Sequence, residues 1–230
     1  MFDDIANIAL LDPAETGSKT DLDWQGLERA ASFLEARRSV RRYLPEPVPT
    51  ALVDRLLYLG TCAPSAHNRQ PWRFVVLRSH AIKAKLATAM GDKLRRDREA
   101  DHDNADAIEA DVARSYARIT SAPVIILLCL TMEDMDRYRE DTRNTHEHHM
   151  AIQSVAMAGQ NIMLAAHAAG LSSCWMCAPM FCPHIVISTL KLPDHWLPQG
   201  MLTLGYAANN GKPFQRKPQN ETVVYLDDSY

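Results

Sequence analysis

The run MAIQSVAMAGQNIMLAAHAAGL, Met150 to Leu171, constrains this chain more than any other stretch. It is long enough to cross a bilayer as a helix, but Gln153, Ser154, Gln160, Asn161 and His167 would then all enter hydrocarbon. In water the same helix is apolar on nearly every side, so it must be wrapped by other elements and form the centre of a core. Ala156, Ala158, Gly159, Ala165 and Ala166 are small enough to let those elements come close. Gly170 is placed to end the helix in the left-handed conformation that glycine adopts without strain.

What wraps it can be read in outline. Helical periodicity recurs over Leu27–Ala36 and Leu52–Leu59, the second behind Pro49 at a first-turn position. RFVVLR (Arg73–Arg78) and PVIILLCL (Pro123–Leu130) are short runs of branched apolar residues and predict strands, as do SCWMC and MLTLGYA. Between the first two strands lies Gly91–Thr120, whose dense mixed charge allows a helix but predicts little burial. It reads either as a solvated helical excursion or as a lid over a site. Residues 1–25 and 208–230 read as extended arms. No repeat or shift in composition marks a boundary, so the expectation is one α+β domain over residues 1–230.

Charge and termini exclude several classes of function. A net charge of −3 gives no global basic surface for nucleic acid, so none is expected as a partner. The start, MFDDIANIALLDPAETG, is acidic where a secretion signal is basic. A cytoplasmic location with reduced thiols is expected, with no membrane association.

Three of the five cysteines and a histidine fall in SSCWMCAPMFCPH, Ser172 to His184. CxxC is a half-site for zinc or for thiol redox chemistry. On a strand, however, Cys174 and Cys177 point to opposite faces and cannot share an ion. A redox pair needs its first cysteine at a helix N-terminus, and the next helical pattern begins only near Pro183. Cys182 and His184 lack a second half-site to complete a tetrahedral shell. The default is neutral packing, and no metal is expected. His146, His148 and His149 in THEHHM read as a solvated helix start for the same want of further ligands.

Two stretches carry more chemistry. In EARRSVRRYLPEPV, Arg37, Arg38, Arg41 and Arg42 surround Ser39. Forked guanidinium donors beside a hydroxyl match phosphate oxygens, and the other reading is an exposed basic turn. In CAPSAHNRQPWRFVV, the loop through Pro64, Ser65, Asn68, Gln70 and Pro71 is rigid yet rich in amides and hydroxyls, which suits the edge of a polar heterocycle or a turn capped by its own side chains.

Taken in order, RRSVRRY, PSAHNRQPWRF, GQNIMLAAHAAGL, CWMCAPMFCP and LGYAANNGKPFQRKP resemble the nitroreductase-like FMN flavoprotein family across most of Leu34 to Pro218. They are most similar to the nitroreductase-like domain fused to the glutamyl ligase of deazaflavin-coenzyme biosynthesis, although this sequence carries no ligase domain. The resemblance implies an α+β sandwich whose central, mainly antiparallel sheet is flanked by helices, in an intertwined homodimer whose arms, including the strand-like Thr222–Asp227, embrace the partner. It implies FMN with NADH or NADPH as donor, and a small conjugated acceptor such as a nitroaromatic or quinone. Carried over by motif, Arg37, Arg38, Ser39, Arg41, Lys212 and Arg216 hold the phosphate and ribityl chain. Pro64, Ser65, Ala66, Asn68 and Gln70 approach the isoalloxazine, often from the other subunit. Ala178, Pro179 and Met180 lie in a loop that offers a backbone amide to the flavin. Pro179 has no N–H, so that donor is expected to be Ala178 or Met180. No side-chain acid or nucleophile is implied. The alternatives are a reductase or binder of a deazaflavin-type coenzyme, and a flavin-binding or flavin-remodelling protein without general reductase activity. In relatives a segment between the first two strands controls substrate choice, and here Gly91–Thr120 takes that place. Arg95, Arg96, Arg98 and Arg114 could then reach an anionic substrate, unless Asp97, Glu99, Asp101 and Asp103 pair with them.

Overall fold

Four strands, β1 (Trp72–Leu77), β2 (Val124–Leu130), β3 (Ser172–Met176) and β4 (Leu197–Gly205), form one sheet in the order β1-β2-β4-β3. Every neighbouring pair is antiparallel. The computed structural model describes residues 22–226, and contacts divide the chain into two compact units, residues 1–36 and 37–230. The first unit contributes helix α1 (Trp24–Ala36), opened by a hydrogen bond of 2.7 Å from the Gly26 N–H to Asp23 Oδ1. The second holds the sheet and helices α2 (Thr50–Thr61), α3 (His80–Ala100), α4 (Ala105–Ser121), α5 (Asp141–Ala168) and α6 (Pro183–Leu190).

Strand β2 explains the layering. All of its residues are buried, and because side chains alternate along a strand, it feeds two cores at once. Val124, Ile126, Leu128 and Leu130 pack with Val53 and Leu56 of α2 and with Val155, Ala158 and Ile162 of α5. Ile125, Leu127 and Cys129 pack with Leu86 and Met90 of α3, Ile119 of α4 and Val186 of α6. Each fully buried branched side chain contributes about 1.5–3 kcal/mol.

The central helix is wrapped as its composition requires. Ala151, Ser154, Val155, Ala158, Gly159, Ile162 and Ala166 form its buried stripe. The polar groups that would have been stranded in lipid find partners: Ser154 Oγ donates to Met150 O at 2.7 Å and Asn161 Nδ2 to Leu59 O on α2 at 3.4 Å. Gly170 ends the helix at φ +75°, and the amides of Gly170 and Leu171 return to His167 O (3.1 Å) and Ala166 O (2.8 Å). The helix begins at Asp141, so His146, His148 and His149 lie within its first turns, with the His146 and His149 rings 6.5 Å apart. At Gly159 a Cβ would lie 2.4 Å from the Trp175 ring, and at Gly200 one would lie 2.7 Å from it. The two glycines therefore form the slot that seats the Trp175 indole.

Within Gly91–Thr120 only Gly91, Ile108 and Ile119 are buried, in line with its charge. The segment is the greater part of a helical hairpin in which α3 starts at His80, and Leu86, Ala87 and Met90, which precede it, supply the rest of the buried face. Arg95 bonds Glu109 at 2.6 Å and Asp92 at 2.9 Å, while Arg98 bonds Asp103 at 2.6 Å and also Asp111. These exposed pairs contribute at most about 0.2–1 kcal/mol each, so apolar burial holds the hairpin down. The buried Lys83 donates to Ala122 O and so satisfies a carbonyl at the end of α4.

The strand-like TVVYLD forms no strand over its described part: residues 222–226 are irregular, and Asp227 to Tyr230 lie outside the described residues. The N-terminal arm and the leader reading likewise lie outside them through residue 21, while Trp24 and Gln25 open α1. Among the described residues, no helix is long and apolar enough to cross a membrane.

Candidate functional site

RRSVRRY runs as an extended strip along the sheet. Ser39 pairs in parallel with Ser173 of β3, where the Val40 N–H donates to Ser173 O at 3.2 Å. Tyr43 pairs antiparallel with Ala207 just beyond β4, flanked by Leu44 N–H to Tyr206 O (2.9 Å) and Ala208 N–H to Arg42 O (3.0 Å). Val40 and Tyr43 are buried, whereas Ser39, Arg41 and Arg42 face out. The Tyr43 hydroxyl donates to Val40 O at 2.6 Å and lies 2.7 Å from Thr203 Oγ1. Burial pushes that phenol well above its ordinary range, so it stays a neutral pin.

A turn brings the C-terminal basic residues to this strip. Gly211 takes φ +71°, and a Cβ there would lie 3.1 Å from Arg38 Cβ, so only glycine lets the turn sit this close. Its N–H donates to Asn209 Oδ1 at 3.0 Å. Lys212 follows, and then Phe214, whose ring lies under the guanidinium carbons of both Arg38 (4.3 Å) and Arg216 (3.9 Å). Such stacking contributes about 0.5–1 kcal/mol at exposed sites.

Strip, turn and helix α4 enclose a cavity of about 910 Å³. Arg41 and Arg42 line it from the strip, Lys212 from the turn, and Arg114 and Arg118 from α4, with Ser39, Ser121 and Asn209 adding neutral polar groups. Arg114, Ala117, Arg118 and Ser121 fall on one helical stripe. Among the described residues, no carboxylate, histidine or cysteine lines the cavity. Half-buried Arg118 is held below the usual guanidinium range, first by burial and then by the charges of Arg41 and Arg114. Beneath the cavity, burial pushes the Cys174 thiol up, while Arg41, Arg118 and Arg37 pull against it. Arg41, Arg42 and Lys212 of the strip and the turn, which pair with no carboxylate among the described residues, make a receptor for phosphate oxygens, whereas Arg114 on α4 pairs with Asp111. The residues that line the cavity can bind and orient an anion there.

The motif residues divide into three places. Ser39, Arg41 and Lys212 line the cavity, while Arg38 and Arg216 stack on Phe214, and half-buried Arg37 lies within electrostatic reach of Cys174. Pro64, Ser65, Ala66, Asn68 and Gln70 form a separate loop. Ser65 Oγ accepts the Gln70 N–H at 3.0 Å, and His67, Asn68 and Gln70 all take positive φ (49°, 54° and 50°). Each such residue costs of order 1–3 kcal/mol. Ion pairs from Arg69 to Asp136 (2.5 Å) and Arg73 to Asp134 (3.4 Å) tie the loop down. In the third place, Ala178–Phe181 is a single 3-10 turn after β3, with Pro179 buried and Met180 exposed. The Met180 N–H already donates to Cys177 O at 3.0 Å, whereas the Ala178 N–H has no such bond among the described residues. Ala178 is therefore the open donor of the two. Cys177 is exposed beyond the strand and accepts the Trp175 indole N–H at 3.2 Å, while Cys174 and Cys182 are buried.

Residues 34–206 match the family described as the nitroreductase family. The chain belongs to the nitroreductase family. A Thermus thermophilus relative named NADH dehydrogenase is 30% identical over 213 residues, covering 82% of this chain and 92% of that protein. A Desulfovibrio desulfuricans protein assigned as a nitroreductase, crystallised with FMN, is 26% identical with a TM-score of 0.65, covering 86% of this nitroreductase-family chain and 96% of its own. A BluB-like flavoprotein of Clostridium difficile shares the fold at a TM-score of 0.70 and 22% identity, covering 86% and 99% of the two chains.

The α4 wall of the cavity went unread in the motifs. Arg114 stood out as a reach toward an anion, and Arg118, one turn further on, follows from helical spacing. Arg95 and Arg98 instead spend their charge on carboxylates within the hairpin.

Proposed function

We propose that this nitroreductase-family chain is an FMN-dependent oxidoreductase that takes electrons from NADH or NADPH and reduces a nitroaromatic, quinone or other conjugated acceptor. The observation that carries this reading is the basic cavity at RRSVRRY, whose strip and turn donors, Ser39, Arg41 and Lys212, fit the phosphate end of FMN. Ser39, Arg41 and Lys212 would hold the phosphate, with Arg37 adjacent, while Phe214 fixes Arg38 and Arg216 behind them. When bound, FMN supplies two-electron transfer between nicotinamide and acceptor, for which no acidic or nucleophilic side chain of the cavity is needed. Ala178 offers a free backbone N–H at the turn that the resemblance assigns to the flavin. The strained 64–70 loop is absent from the cavity lining, which fits its assignment to the flavin of a second subunit in a homodimer.

The test is turnover. FMN-loaded protein is given NADH or NADPH with a panel holding a quinone, a nitroaromatic and a deazaflavin coenzyme. Oxidation of either nicotinamide that depends on a panel member supports the reading and names the acceptor class. Tight FMN binding without turnover on any member would make the chain a flavin-holding protein instead.

A further inference from the structure

The cavity holds more positive charge than one phosphate group neutralises. A phosphate monoester carries about −1.5 to −2 at neutral pH. Arg41, Arg42, Arg118 and Lys212 make no ion pair with a carboxylate among the described residues, and Arg114 shares Asp111 with Arg98. After the strip and the turn bind a flavin phosphate, Arg118 remains without a carboxylate partner among the described residues, and Arg114 has only a share of Asp111. The cations are also arranged in two groups. The motif residues approach from the strip and the Gly211 turn, whereas Arg114 and Arg118 stand one helical turn apart on α4. A volume of about 910 Å³ is at the upper end of the roughly 300–1,000 Å³ that encloses a drug-sized ligand, so there is room for a second charged group.

Resting on the FMN reading, we infer that Arg114 and Arg118 form a second anionic subsite, which selects a redox partner carrying a phosphate or carboxylate beside its reacting ring. Burial supports selectivity here. Arg118 is half-buried on the edge of the cavity, so salt screens it less than a fully exposed cation. An anion at this position relieves the repulsion among Arg118, Arg41 and Arg114, whereas a neutral partner leaves it in place. The same chemistry is available from the 2′-phosphate of the nicotinamide donor and from an acidic group on the acceptor.

Equilibrium binding to the FMN-loaded protein separates the two sources. NADP⁺ is compared with NAD⁺, and 4-nitrobenzoate with nitrobenzene, in the wild type, in Arg114→Gln/Arg118→Gln and in Arg114→Lys/Arg118→Lys. In at least one pair the anionic member should bind the wild type at least tenfold more tightly. That preference should shrink to below threefold in the glutamine variant, weaken as salt rises, and survive in the lysine variant. FMN affinity, titrated separately, should change less than threefold throughout. Absence of a preference in both pairs, or a preference unchanged by glutamine, overturns the subsite. A tenfold loss of FMN by the glutamine variant also overturns it, giving the pair to the flavin phosphate. If the wild type takes up no FMN, the flavin reading fails, and the same two pairs measured on the flavin-free protein decide the subsite independently.

Discussion

Arg41 carries the most specific claim at the scale of single residues. It lines the cavity with no carboxylate partner among the described residues; its Nη1 reaches Ser39 O at a long 3.4 Å, and its side chain also approaches the Cys174 thiol. A hydrogen bond to a charged group contributes about 1.5–3 kcal/mol, so Arg41→Ala should weaken FMN roughly tenfold to a hundredfold. Riboflavin, which lacks the phosphate, should bind the variant as it binds the wild type. Equal losses for both flavins would move Arg41 from the phosphate to the ring. Cys177 is the complementary case. Its sulfur accepts the Trp175 indole N–H, a role that a serine oxygen can also fill. Cys177→Ser should keep FMN affinity and turnover within about threefold in a steady-state assay. Loss of turnover with flavin still bound would give the thiol a chemical role.

Among the elements, the apolar part of α5 from Met150 on and the four strands were legible because long apolar or branched runs have few uses outside a core. The start of α3 at His80 was hidden, since Leu86, Ala87 and Met90 lie between a strand and a charged run that dominates the pattern. TVVYLD differs: its β-branched residues suit a pleated surface, but within one copy its described residues, 222–226, form no strand. The site divides in the same way. RRSVRRY was readable because arginines about a serine have a direct chemical meaning, whereas the α4 wall meets the motif only through the packing of Ile119 and Val40 into one core. The slot for Trp175 is the packing detail most exposed to test. Gly159→Ala puts a methyl 2.4 Å from the ring, and overpacking of this kind costs about 1–3 kcal/mol, or roughly 2–12 °C in Tm for a chain of this size. Thermal unfolding followed by circular dichroism should show that drop, and an unchanged Tm would mean that Trp175 is free to shift.

For the whole molecule, two groups of residues lack a setting within one copy. The strained 64–70 loop, which the proposed function assigns to a flavin edge, does not line the cavity of its own chain, and Val224, Tyr225 and Leu226 expose apolar side chains at 82%, 69% and 86%. Both are accommodated if a second copy supplies the flavin edge and receives the arm. Sedimentation equilibrium should therefore give about twice the mass of 25.8 kDa, and removal of residues 219–230 should lower it toward one copy. A single-copy mass for the intact chain would leave the 64–70 loop without a flavin to contact. Electron flow through the assembled protein remains the central question. Under anaerobic conditions, NADH or NADPH is added to the FMN-loaded protein while the visible flavin absorption is followed, and a quinone is then added. The flavin band should bleach with at least one nicotinamide and return with the quinone. A band left unchanged by both nicotinamides, in protein that binds FMN stoichiometrically, would contradict the oxidoreductase function.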